Sequence, residues 1–106
     1  MPFSATLEQT GEDARIFLQG ELDASSANQF KETIEQAAEK NPKRLILFMN
    51  ELDFMASAGL RILIFAKQKM GQGVDIYVIG SKGPVLSTLE MSGFHRSVYV
   101  QDTFTE

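Results

Sequence analysis

The chain has 106 residues, 43% of them hydrophobic, and a formal net charge of −4. That size fits one domain, residues 1–106, with enough apolar content to fold without disulfides or a structural metal. The absence of cysteine excludes a disulfide framework and a cysteine nucleophile, the single histidine (His95) leaves no cluster for a metal, and the acidic balance speaks against nucleic acid as the partner.

Met1 to Thr6 has no basic start followed by an apolar run, so no signal peptide is read there. From Phe3 to Gln9, the residues Phe3, Ala5 and Leu7 alternate with Ser4, Thr6 and Glu8, the period of a half-buried strand. Thr10-Gly11-Glu12-Asp13 is a turn cluster, and Ala14 to Gln19 reads as a second strand that Gly20 ends, giving an antiparallel hairpin. Ser25 or Ser26 suits the N-cap of a helix over residues 26–40, whose apolar stripe is Ala27, Phe30, Ile34, Ala37 and Ala38. Pro42 stops it.

Arg44 to Met49 is an almost unbroken apolar run, the pattern of a central strand buried on both faces. Asn50 to Asp53 leaves that strand and leads into Phe54-Met55-Ala56-Ser57-Ala58-Gly59-Leu60. A second helix is expected from Ser57 to Met70, with Lys67 and Lys69 suited to the negative end of its dipole and Gly71 as the C-terminal cap. Its longest apolar run, Leu60 to Ala66, is broken by Arg61 and too short to span a bilayer, so a soluble cytoplasmic domain without membrane contact is expected.

Val74 to Ile79 is a fourth strand. Pro84 opens a short helix with the stripe Val85, Leu86, Leu89 and Met91, ending near Ser92-Gly93. Ser97 to Val100 is a last strand. The polar residues 101–106 read as a fraying tail from which Phe104 can fold back. The order β-β-α-β-α-β-α-β predicts an α/β fold with helices packed on a mixed parallel and antiparallel sheet.

Little in this order carries catalysis. The glycines at 71, 73, 80 and 83 lack the Gly-Lys-Ser/Thr run of a phosphate loop, which argues against a small nucleotide-binding domain. His95 has no nucleophile beside it. The acids Glu21, Asp23, Glu51 and Asp53 lie at strand-to-helix turns and read as solvated turn residues rather than a paired acid–base site. No catalytic residue, metal ligand or cofactor is assigned.

Ser57 is the only hydroxyl in the small-residue turn before the second helix. A serine there can cap the helix, and a phosphate there would meet unpaired N–H groups and the positive end of the dipole. Leu60 stands where a capping box would place Glu or Gln, and Ala56, Ala58 and Gly59 leave the hydroxyl sterically open. Both readings, cap and modification site, stay open at this point.

Three segments then carry a resemblance: Gly20-Glu21-Leu22-Asp23, Leu52-Asp53-Phe54-Met55-Ala56-Ser57-Ala58-Gly59-Leu60, and Met91-Ser92-Gly93-Phe94. In order and spacing they resemble the anti-sigma factor antagonists of the STAS domain family across nearly the whole chain. The resemblance implies a partner-switching, protein-binding regulator of transcription and stress responses in bacteria, and not an enzyme. It implies phosphorylation of Ser57 by an anti-sigma factor that is also a serine kinase of the histidine-kinase-like ATPase type. A PP2C-type phosphatase would reverse the modification, and the domain itself would be a monomer or weak dimer.

The implied contact surface is Asp23 with Met55, Ala56, Ser57, Ala58, Gly59, Leu60 and Arg61, and a bulky residue at Gly59 would be expected to impair binding more than stability. The family signature is typically Asp-Ser-Ser/Thr-Gly-Leu. Here Ala56 replaces the aspartate and Ala58 the second hydroxyl, which leaves Ser57 as the one modifiable position of the motif and opens the alternative of a constitutive adaptor, as in a stressosome-like scaffold.

Overall fold

The computed structural model describes residues 2–104. Its elements are β1 (Ser4–Thr10), β2 (Asp13–Leu22), α1 (Ala27–Glu39), β3 (Arg44–Met55), α2 (Ser57–Met70), β4 (Asp75–Ile79), α3 (Gly83–Ser92) and β5 (Tyr99–Gln101), with a single 3₁₀ turn at Phe94–Arg96. They form the expected mixed sheet, in the order β1-β2-β3-β4-β5. β1 runs antiparallel to β2, and β2, β3, β4 and β5 are parallel neighbours. Each parallel pair is joined through one helix, because strands running the same way need a crossover.

Strand alternation divides the sheet into two unlike faces. Ala14, Ile16 and Leu18 of β2, Leu45, Leu47 and Met49 of β3, and Ile76 and Val78 of β4 point to one side. There they form a single core with Phe30, Ile34 and Ala37 of α1, Leu63 and Ala66 of α2, and Val85 and Leu89 of α3. The intervening residues, among them Phe17, Phe48 and Tyr77, face the other way. The double burial predicted for β3 therefore has two sources: Leu45 and Leu47 lie under helices, whereas Ile46, equally buried, lies on the opposite face.

Two strands are longer than the sequence predicts. β2 passes Gly20 and reaches Leu22, because Gly20 takes a positive φ of 85° at an irregularity in the β2–β3 pairing and lets the strand kink without ending. β3 does not stop at Met49 but runs to Met55, pairing Glu51, Leu52, Phe54 and Met55 with β2. Its pairing with β4 stops at Phe48. The polar Asn50, Glu51 and Asp53 disguise this extension in the sequence; they are exposed while Leu52 and Met55 are buried. A two-stranded ribbon of β2 and β3 thus projects beyond β4, and α1 and α2 start from its end.

Of the expected helices, α2 matches over Ser57–Met70, Pro84 lies in the first turn of α3, and Gly93 closes α3 in the left-handed conformation at φ 81°. Phe104 does fold back, onto the sheet face away from the helices; Thr105 and Glu106 lie outside the described residues. No helix among the described residues is long and apolar enough to cross a membrane.

Candidate functional site

The end of the ribbon brings two strand-to-helix turns together. Leu22 and Met55 are register partners, and the Ala56 amide donates to the Leu22 carbonyl at 2.8 Å. One turn, residues 22–27, leads into α1, and the other, residues 55–57, into α2. Thr88 of α3 shares its hydroxyl between the Pro84 carbonyl of its own helix at 3.0 Å and the Met55 carbonyl at 3.3 Å, so the third helix lies against the second turn.

At the start of α2 the N-cap position belongs to Ala56, in extended conformation, and no side chain caps the helix. The amides of Gly59 and Leu60 donate to the Ala56 carbonyl at 3.0 and 3.2 Å. Ser57 is the first helical residue, and its side chain is exposed. The capping reading of Ser57 is therefore not what the structure shows: the cap residue is one position earlier and has no side-chain oxygen. The amides of Ser57 and Ala58 precede the first intrahelical bond, which leaves positive charge at the hydroxyl's own end of the helix.

Gly59 plays a part other than the one expected. A Cβ on Gly59 would lie 2.6 Å from Leu22 Cγ and 3.0 Å from Met55 Cγ, both side chains of the core. The first turn of α2 therefore rests directly on the ribbon, and glycine is what allows this approach. Met55 is only 1% exposed and Gly59 is buried, so both position the site and neither offers a side chain to a partner. A bulky residue at Gly59 would strike the core first, which reverses the expectation that binding would suffer more than stability.

Asp23 is also committed within the chain. Its Oδ1 accepts from the Ser25 amide at 3.0 Å, the Ser25 hydroxyl at 2.7 Å and the Ser26 amide at 3.3 Å. The Ser25 hydroxyl foremost, with the Ser26 donors, holds the Asp23 carboxyl below its ordinary range. Ser26 occupies the N-cap position of α1 but makes no cap bond. Its Oγ instead accepts from the Asp23 amide at 2.9 Å and donates to the Glu21 carbonyl at 3.0 Å. Of the two serines expected to cap α1, Ser26 holds the position but ties the preceding turn together instead.

What remains accessible is one stripe of α2. Ser57, Arg61 and Ile64 follow at intervals of four and three residues, hence on one helix face, and all three are exposed. Ala56, Ala58 and Leu60 are half-buried beside them. Phe54, 42% exposed on β3, and Met91, 89% exposed on α3 one turn beyond Thr88, add apolar surface on the neighbouring elements. The sequence reading missed Phe54 and Ile64 as surface residues, and Met91, expected on the apolar stripe of α3, is exposed instead, since α3 buries only Val85 and Leu89. The sequence signal for Ile64 was Arg61, three residues before it and therefore on the same helix face. Glu21, Glu51 and Asp53 are exposed, and no group of His, Asp or Glu able to hold a metal ion occurs among the described residues.

Comparison with known proteins extends this picture. The STAS domain sequence family matches residues 4–106. The anti-sigma-F factor antagonist RsfB of Mycobacterium tuberculosis is 26% identical over 84 residues, covering 79% of this chain and 69% of that protein. The crystal structure of an anti-sigma factor antagonist from Mycobacterium paratuberculosis superposes with a TM-score of 0.90 at 18% identity, over 97% of this chain and 88% of that one. The Bacillus cell fate determinant SpoIIAA in its phosphorylated form superposes at 0.73 and 22% identity, over 94% and 92% of the two chains. At these identities the superpositions speak to the fold. Since the family match runs through both turns, the whole of α2 and α3, the chain belongs to the STAS domain family.

Proposed function

We propose that this protein is an anti-sigma factor antagonist: a cytoplasmic, non-enzymatic regulator that binds an anti-sigma factor and so releases a sigma factor. The observation that carries this reading is the exposed, uncapping Ser57 at the head of an accessible helix stripe. The similarity to RsfB supports the same activity. In the proposed cycle the unmodified stripe Ser57, Arg61 and Ile64 meets the anti-sigma factor. That partner, a serine kinase of the histidine-kinase-like ATPase type, phosphorylates Ser57, and a PP2C-type phosphatase reverses the modification.

The physics of such a switch is local. A phosphate brings about −1.5 to −2 charges into a packed contact, where desolvation and any facing acid oppose it. Within the free domain the same phosphate is tolerated, because it sits at the amide end of α2. Ser57→Asp should therefore weaken partner affinity by roughly tenfold or more, about 1.4 kcal/mol, while leaving the fold as stable as before or slightly more so. Ser57→Ala should bind like the unaltered protein. Equal affinity of the two variants for the anti-sigma factor would sink the switch.

A second reading is favoured by Ala56, which stands at the N-cap where the family usually carries aspartate. Without that carboxylate the domain would act as a constitutive adaptor. Intact-mass and peptide mapping of the protein from its own cells, resting and stressed, separates the two. Phosphate on Ser57 with changing occupancy supports the switch, and its absence under both conditions supports the adaptor.

A further inference from the structure

The sheet face opposite the helices carries an aromatic platform. Phe17 of β2 stacks on Phe48 of β3 with ring centroids 4.7 Å apart and planes within 6°, and Tyr77 of β4 stacks on Tyr99 of β5 at 4.8 Å. Phe104 bridges the two pairs, edge-on to Phe48 at 6.3 Å and 86° and to Tyr77 at 5.6 Å and 75°. Two guanidinium groups complete the cradle, Arg44 at 5.1 Å and Arg15 at 5.5 Å from the centre of the Phe104 ring. Arg44 is itself fixed by a two-pronged bond to Asp13, at 2.8 and 2.6 Å. Edge-to-face rings and guanidinium groups together select an aromatic side chain over an aliphatic one.

The segment that delivers Phe104 reaches the platform through that ring. After β5 ends at Gln101, Asp102 and Thr103 are exposed and belong to no strand or helix. The segment is also acidic, with Asp102 two residues before Phe104 and Glu106 two residues after it in the sequence, while the cradle contributes Arg15 beside the Asp13-paired Arg44. Beside the ring, Phe48 lines an open groove of about 430 Å³ with Phe17, Gln19, Asn50 and Glu51, so the platform extends past the part that Phe104 covers.

We propose that this face is a second binding surface, for a partner peptide that presents an aromatic ring beside acidic residues, and that residues 102–104 occupy it as an intramolecular stand-in. Phe48 lies seven residues before Met55, roughly 20 Å along β3, on the side of the sheet away from the helices. Occupation of this face is thus separate from contact at the start of α2. The internal segment lowers the apparent affinity for the outside peptide by the fraction of time it leaves the cradle open.

The test uses the full chain with Phe104→Ala and, as probe, a fluorescent peptide with the sequence of residues 101–106. The expected result is saturable binding to Phe104→Ala, at least about tenfold weaker binding to the unaltered protein, and none by a probe whose phenylalanine is replaced by alanine. Arg15→Gln in the Phe104→Ala background should weaken the binding, and added salt should do the same. Folded Phe104→Ala that binds the probe no better than the unaltered protein overturns the proposal. So does concentration-dependent dimerisation of that variant without probe binding, which would assign the face to a second copy. If Phe104→Ala does not fold, amide spectra of the unaltered protein with excess probe decide: shifts at Phe48 and Tyr77 are expected, and none there refutes the proposal.

Discussion

The two turns at the end of the β2–β3 ribbon offer the same chemistry and treat it in opposite ways. Each places a serine at the start of a helix, and the backbones touch through the bond from Ala56 to Leu22. In the first, Ser26 is 7% exposed and bonded to Glu21 and Asp23. In the second, Ser57 is exposed and caps nothing. The difference lies in the preceding residues. Asp23 is three positions before Ser26 and folds back over it, a short side chain bonding to backbone just ahead of it. Before Ser57 stands Ala56, and Asp53 is still in the strand with its side chain in solvent. A hydroxyl is left exposed here because no neighbouring group bonds it.

The largest effect that would break this contrast is expected at Gly59, which rests α2 on both Leu22 and Met55. Gly59→Leu should destabilise the fold by about 1–3 kcal/mol through overpacking, read as a lower denaturation midpoint at unchanged slope. A variant as stable as the parent would mean that α2 can lift from the ribbon and that the two turns are not rigidly joined. A smaller effect separates the serines themselves. Ser26→Ala removes the partner of a part-buried amide and should cost about 1–2 kcal/mol, whereas Ser57→Ala should stay within about 0.5 kcal/mol of the parent. Equal losses in thermal melts would make the two hydroxyls structurally alike.

Much of this arrangement was legible in the residues. Periodicity placed the three helices, and the unbroken run from Leu45 to Met49 marked the central strand, because burial on both faces leaves no room for polar residues. What escaped was whatever depends on distant partners. Gly20 reads as a strand end, since nothing local reveals that β3 continues alongside it. Leu52 and Met55 are separated by exposed residues and look like a loop until the ribbon pairs them with β2. Ser57 and Gly59 stood out, but their roles did not: capping requires the geometry of Ala56, and the close approach of Gly59 depends on Leu22, thirty-seven positions earlier in the chain. The cradle around Phe104 was invisible for the same reason, since its rings come from four strands and the segment after β5.

The smallest effect concerns the charge on Asp23, and it tests whether the first turn is truly closed. The Ser25 hydroxyl and its companion donors hold the folded carboxyl below its ordinary value of 3.8. A depressed carboxyl contributes stability that is complete above the unfolded value and disappears as pH falls through the folded one, because only then do both states bind the proton. Asn at this position keeps an acceptor oxygen and removes the charge, so Asp23→Asn should melt slightly below the parent at neutral pH. The gap should close as both proteins are taken down through and below the carboxylate range. Parallel melting curves across all pH values would mean that the charge does not hold this turn. The bonds from Ser25 and Ser26 would then close the turn as neutral hydrogen bonds, and the contrast with Ser57 would rest on geometry rather than on charge.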